Sequence, residues 1–226
     1  MPDSEPTSSR VIAAVNRREL SASSVGKTSK WPRTCRRQER IAQVLRRRQP
    51  DLTLVLENVH DPHNVSSVLR ACDAVGVLRV HLIYSAEEPP ARAFARTTSA
   101  SAAKWVETVR HATVDDCYRM LRQEGFSILA TAFEDGARDL YDVDFRRPTA
   151  LAFGNEMRGL TEEAIAGADG CVVIPMLGMV QSLNISVACA VTLYEALRQR
   201  RQAGDYATAK LPEGEREQLA EAWLKK

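Results

Sequence analysis

The chain has 226 residues, 44% of them hydrophobic and 27% charged, with 31 Lys and Arg against 29 Asp and Glu for a net charge of +2. That length favours one compact core with tails over two independent domains, and no apolar run approaches the roughly 18 residues needed to span a bilayer. The five cysteines, Cys35, Cys72, Cys117, Cys171 and Cys189, are odd in number, far apart and without a C-x-x-C pair, so their spacing suggests neither a disulfide framework nor a metal site.

Residues 1–30 are rich in Ser, Thr and Arg and show no sustained apolar period, which predicts a flexible arm. The opening residues, Met1 to Glu5, lack the basic start and apolar stretch of a secretory signal, so the expected compartment is the cytoplasm. The small net charge conceals a basic end. From Lys27 to Arg48 there are nine basic residues and one acidic residue, Glu39. Such a run is the electrostatic footprint of a phosphate-backbone partner, although a solvated helix face is the plainer alternative. Residues 31–49 read as one Arg-rich helix. Ile41, Val44 and Leu45 share a face while Arg33, Arg36, Arg37, Arg40 and Arg47 recur elsewhere on it, and Pro50 closes it.

From residue 50 the pattern alternates. Strands are expected at Leu52–Glu57, Arg79–Tyr84, Phe126–Thr131, Thr149–Phe153 and Cys171–Ile174, and helices at Asn64–Val75, Val114–Gln123 and Leu160–Ala168. That alternation predicts an α/β fold with a mostly parallel sheet flanked by helices. Beyond Gly178 a helix from Leu183 to Gln202 is apolar on nearly all faces through its first turns, so more than one side should be buried, with a partner subunit a natural second cover. Residues 204–226 form a charged tail with one short helix near Glu213–Leu224.

The G-x-G-x-x-G turn of dinucleotide-binding folds is absent, which argues against a nucleotide-dependent oxidoreductase. Three other segments gather polar residues and glycines where open α/β sheets bind ligands. The first is NVSSVLRACDAVG, Asn64 to Gly76, in which Asn64 and Arg70 read either as a helix cap and a surface cation or as parts of a cleft. The second is GNEMRGL, Gly154 to Leu160, with Glu156 between two glycines; Gly154 would let a ligand approach the backbone, and Glu156 alternatively favours a helix N-terminus. The third is IPMLGMVQSLNISVA, Ile174 to Ala188, where Met176 and Met179 read as core filler and Ser182 and Asn184 as caps if taken singly.

Together and in this order, the three segments resemble the three motifs of the SpoU/TrmH family of RNA ribose methyltransferases in the SPOUT superfamily, over about residues 33–203. The resemblance implies a deep trefoil knot near residues 150–203, a homodimer packed through knot-region helices, and S-adenosylmethionine as cofactor. It places Thr131, Gly154, Ile174, Met176, Ser182 and Leu183 at the cofactor. Asn64, Arg70, Glu156 and Asn184 fall in the catalytic neighbourhood, with no metal. The implied reaction is 2′-O-methylation of a tRNA ribose, nearest in pattern to enzymes acting on guanosine 18 of the D-loop. The implied tRNA contacts are the arginine helix together with Arg198 and Arg200. Asp61 stands where the family often carries a basic residue. Ribosomal RNA as substrate, or a non-catalytic RNA-binding module of the same fold, are the alternatives. Because a guanidinium keeps its proton in proteins, Arg70 is expected to stabilise developing alkoxide charge and clamp phosphate more than to act as a base.

Overall fold

A computed structural model of the chain describes residues 33–85 and 101–226. The arm at residues 1–30, and with it Lys27 and Lys30, lies outside them. Residues 37–226 form one compact unit.

Helix α1 (Arg33–Arg46) ends before the predicted Gln49, because Arg48 and Gln49 turn into the protein and Gln49 pairs as an isolated bridge with Val77. Among the described residues seven strands follow: β1 (Leu52–Glu57), β2 (Arg79–Ile83), β3 (Glu107–His111), β4 (Ser127–Thr131), β5 (Arg138–Asp139), β6 (Thr149–Phe153) and β7 (Gly170–Val173). They form a single sheet in the order β3-β2-β1-β6-β4-β7-β5, and every pairing is parallel. The two strands missed by pattern are the two edges. Strand β3 (E-T-V-R-H) is largely exposed and polar, and β5 has only two residues, so neither carries an apolar run.

The interior strands alternate in register with two helical layers, as side chains of period two must. Leu52, Leu54 and Leu56 of β1, with Leu129, Leu151 and Phe153, face α2 (Pro62–Val75) and α5 (Ile185–Gln202). Val55, Ile128, Ala130, Ala150 and Ala152 face the other way, onto α3 (Val114–Gln123) and α4 (Glu162–Ala166). Helix α2 ends at Gly76, whose φ of 92° is left-handed, and a Cβ there would stand 2.6 Å from the Arg47 carbonyl oxygen. Only glycine meets both demands.

The C-terminal tail is part of the fold. Helix α6 (Glu213–Leu224) lays Trp223 against Ile41 and Leu45 of α1. Beside it the fully buried Arg48 sits 5.1 Å from the centroid of the Trp223 ring and pairs with Asp73 at 2.6 Å.

Arg200 corrects an expectation. It is wholly buried, so it is no tRNA contact: its guanidinium donates to Asp51 Oδ1 at 2.5 Å, to Gln49 Oε1 at 3.0 Å and to the carbonyls of Phe145, Asp51 and Arg147. It lies on the same face of α5 as the core residues Cys189, Leu193 and Ala196, and so meets the N-terminal end of the sheet instead of solvent. Arg198 stays half exposed but donates twice to Glu195, at 2.7 and 2.8 Å, and to Gln202 at 2.9 Å.

Candidate active site

The C-terminal ends of β4, β6 and β7 open into a cleft of about 400 Å³. Parallel strands leave their carboxyl ends unfilled where the connections diverge, which is where such sheets hold ligands. All six residues assigned to a cofactor by motif lie on its wall: Thr131, Gly154, Ile174, Met176, Ser182 and Leu183. Pattern reading missed the continuation of the β4 end through Ala132, Phe133 and Glu134, and also Gln181 and Ile185. The strand-end rule, applied beyond Thr131, identifies the first three. Thr131 also ties two strands at the cleft floor, donating from Oγ1 to the Ala152 carbonyl at 2.8 Å.

The loop after β6 is a closed turn held at both ends. Asn155 and Gly159 exchange backbone hydrogen bonds of 3.0 and 2.8 Å. The Asn155 side chain donates to the Asn58 carbonyl at 2.9 Å and accepts from the Met157 amide at 2.9 Å. At the far end, the buried Glu57 carboxylate accepts from the Thr161 amide at 2.9 Å and its hydroxyl at 2.7 Å, while Thr161 caps α4. Gly154 has a second reason to be glycine besides ligand approach. A Cβ there would lie 2.0 Å from the Gly159 carbonyl carbon, so the turn's own closure excludes a side chain.

This fixed turn presents Glu156 to the start of α2. Asn64 Nδ2 donates to Glu156 Oε1 at 2.5 Å, and Asn64 Oδ1 accepts from Asn184 Nδ2 at 3.2 Å. Asn184 Oδ1 in turn accepts from the Ser186 amide at 2.9 Å and its hydroxyl at 2.6 Å, capping α5. Asn184 is therefore both cap and site member, but Asn64 is not a cap: Asp61 caps α2, accepting from the His63 amide at 2.9 Å, with Pro62 opening the helix. A chain of donors thus runs from Ser186 through Asn184 and Asn64 to one carboxylate, with Glu156 also on the cleft wall. Such a row of preset dipoles can hold a polar substrate group beside the cleft without reorganising.

Arg70 is not part of that cluster. It is exposed on α2 and makes no hydrogen bond or ion pair among the described residues. Its guanidinium is left available to an anionic ligand. On α1, Arg36, Arg37 and Arg40 are exposed; Arg47, expected in the helix, is exposed in the turn just beyond it, and the Arg33 side chain lies outside the described part of the molecule.

The cleft's size lies within the roughly 300–1,000 Å³ of small-molecule and cofactor sites. Its walls combine apolar surface from Phe153, Leu160 and Ile185 with the polar side chains of Thr131, Ser182 and Glu134. That mixture fits S-adenosylmethionine, which joins apolar faces to polar edges and carries positive charge that the Glu134 carboxylate complements.

The comparisons with known proteins agree with this geometry. Residues 51–194 match the SpoU rRNA Methylase family. The chain is 51% identical over 195 residues to the tRNA (guanosine(18)-2′-O)-methyltransferase of Thermus thermophilus, covering 86% of this chain and 98% of that protein. Among solved structures, the A. aeolicus TrmH/SpoU tRNA modifying enzyme superposes with a TM-score of 0.74 at 34% identity, over 85% of this chain and 96% of that one. The SpoU methyltransferase AviRb of Streptomyces viridochromogenes, solved in complex with AdoMet, gives a TM-score of 0.59 at 30% identity, over 69% and 62%. With a strand-end cleft, a closed Glu156 turn and these matches in agreement, the chain belongs to the SpoU methylase family.

Proposed function

We propose that this protein methylates the 2′-hydroxyl of a ribose in tRNA, at guanosine 18, using S-adenosylmethionine. The observation that carries the reading is the meeting of Asn64, Glu156 and Asn184, each from a different motif, at the edge of the strand-end cleft. Bound in that cleft, S-adenosylmethionine supplies a methyl group on a sulfonium, a strong electrophile. Thr131, Gly154, Ile174, Met176, Ser182 and Leu183 hold it.

The protein's own work is positioning. Glu156 spends one carboxylate oxygen on Asn64, and its other oxygen offers an acceptor to the ribose hydroxyl. Asn64 and Asn184 keep that carboxylate aimed, so that the hydroxyl approaches in line. Arg70 supplies positive charge from α2 to the adjoining phosphate and to the alkoxide as it develops. The exposed arginines of α1 hold tRNA phosphates; phosphate contacts set register and make affinity salt-dependent.

The same reading includes the trefoil knot near residues 150–203, a homodimer and a cytoplasmic location. For the dimer, α5 leaves an apolar stripe away from its core face, with Val187 46% and Tyr194 54% exposed. Leu177, Met179 and Val180, in the loop that leads into α5, are also exposed. A second copy covering that stripe would bury apolar surface that a monomer leaves in water. For the compartment, no helix of the described residues is long and apolar enough to cross a membrane.

Transfer of tritium from labelled S-adenosylmethionine to unmodified tRNA, with mapping of the modified nucleotide, tests the reading. Label at guanosine 18, lost when that nucleotide is replaced by adenosine, is the expected result. Label in ribosomal RNA alone would give the family's ribosomal activity instead. Absence of label in both would leave an RNA-binding module.

A further inference from the structure

The cleft lies at the ends of β4, β6 and β7, whereas β2 and β3 form the opposite flank of the sheet. There Ile83 of β2 stands beside His111 of β3. Strand alternation puts His81, two residues before Ile83, on that same face, so both imidazoles project toward α3. Helix α3 turns Cys117 down onto them. His81 Nδ1 and His111 Nε2 share a 2.9 Å hydrogen bond, and the ligand atoms of His81, His111 and Cys117 all lie within 4.8 Å of one another. His81 is 1% exposed and Cys117 is 0% exposed, in a layer otherwise built of Val55, Ile83, Val114 and Ile128.

We propose that His81, His111 and Cys117 bind a single divalent cation of the zinc class, which staples β2, β3 and α3 together. Two imidazole nitrogens and a thiolate form a donor set that selects borderline-soft cations over magnesium or calcium. Zinc bonds of about 2.0–2.3 Å in a tetrahedron set ligand atoms roughly 3.3–3.8 Å apart. On binding, the hydrogen bond between the two nitrogens gives way as they spread by a few tenths of an ångström, and Sγ, within 4.8 Å of both, closes onto the ion. His111 is the half-buried member of the set, so an ion arriving from solvent meets it first. Burial pushes the Cys117 thiol up to about 12. The thiol proton consequently leaves to the buffer as the sulfur–metal bond forms. The cysteine spacing gave no hint of this site, because its three ligands come from two strands and a helix.

The test uses the full chain stripped of metal with a chelator and titrated with cobalt(II), then with zinc. The expected result is one equivalent of cobalt per chain, a thiolate-to-cobalt charge-transfer absorption that zinc abolishes, and a higher melting temperature with zinc. Cys117→Ser should lose the charge-transfer band while its circular dichroism stays native. His111→Gln, at the solvent side, should weaken binding about tenfold or more, and it stands in for the first variant if that one misfolds. A stripped protein that takes up no stoichiometric cobalt overturns the proposal. So does a charge-transfer band that persists undiminished in folded Cys117→Ser, or unweakened binding in His111→Gln. None of these readouts involves methyl transfer, so they stand apart from the activity proposed above.

Discussion

Asn64 and Glu156, 92 residues apart along the chain, meet through a 2.5 Å hydrogen bond from the Asn64 amide to a Glu156 carboxylate oxygen. If Asn64 were a helix cap, its replacement would cost about 1 kcal/mol of stability. Because Asp61 holds that place, Asn64→Ala should melt close to wild type while single-turnover methyl transfer falls about 100-fold, the cost of a small misplacement of reacting groups. Glu156→Ala should behave likewise. Glu156→Gln retains an acceptor for Asn64 and should lose less. Thermal melts beside rapid-quench kinetics check all three, and a large loss of melting temperature in Asn64→Ala would return that residue to a structural role.

Arg70 lines no wall of the cleft and stands exposed. Arg70→Ala should therefore bind S-adenosylmethionine as tightly as wild type, measured by calorimetry, while transfer to tRNA drops about 100- to 1,000-fold, as on removing one charge-stabilising donor. Arg70→Lys should recover only part of the loss, since an ammonium cannot make a forked contact with phosphate. Near-normal transfer in Arg70→Ala would remove the residue from the mechanism.

If the arginines of α1 hold tRNA phosphates as proposed, their signature is a slope. Replacing Arg33, Arg36, Arg37 and Arg40 with Gln together should flatten the dependence of log tRNA affinity on log salt by about 0.7–0.9 for each phosphate no longer neutralised. Arg200 should not contribute to that slope. An unchanged slope in the fourfold variant would place tRNA elsewhere on the protein.

Arg200 and Asp51 carry stability instead. Removing one member of a buried ion pair leaves the other charge uncompensated, so Arg200→Ala should cost about 3–5 kcal/mol, and Arg200→Met, which fills the space, somewhat less. Partial burial alone would raise the Asp51 carboxyl, but the bonds from Lys210 and Arg200 outweigh it and hold the group below the usual carboxylate range. Stabilisation from a depressed carboxylate is complete above the unfolded-state value of about 4 and disappears as pH falls through the lower folded value. Lys210→Met should accordingly move the acid-unfolding midpoint to higher pH, followed by circular dichroism during acid titration.

The interior strands were legible because burial on both faces demands continuous apolar runs. Leu52–Glu57 and Thr149–Phe153 have the bounds expected of them. The edge strands β3 and β5 were not, because a strand with one paired side needs no such run. Helix α1 stopped short of Pro50 because Arg48 is used inside the fold, against Asp73 and Trp223, and nothing in a row of three arginines tells which one turns inward.

By itself the sequence determined an alternating α/β chain, a basic helix, and three polar, glycine-bearing segments, since periodicity and local chemistry are properties of neighbours along the chain; the methyl-transfer cleft was implied by the resemblance of those segments to one family's motifs. Tertiary structure decided everything that depends on distant partners. It set Asn64 against Glu156 instead of at a helix end, buried Arg200 on Asp51, and assigned Gly154 to the closure of its own turn. It also gathered His81, His111 and Cys117. Those outcomes follow from strand order and from which face of each helix meets the sheet, and one-dimensional spacing holds neither.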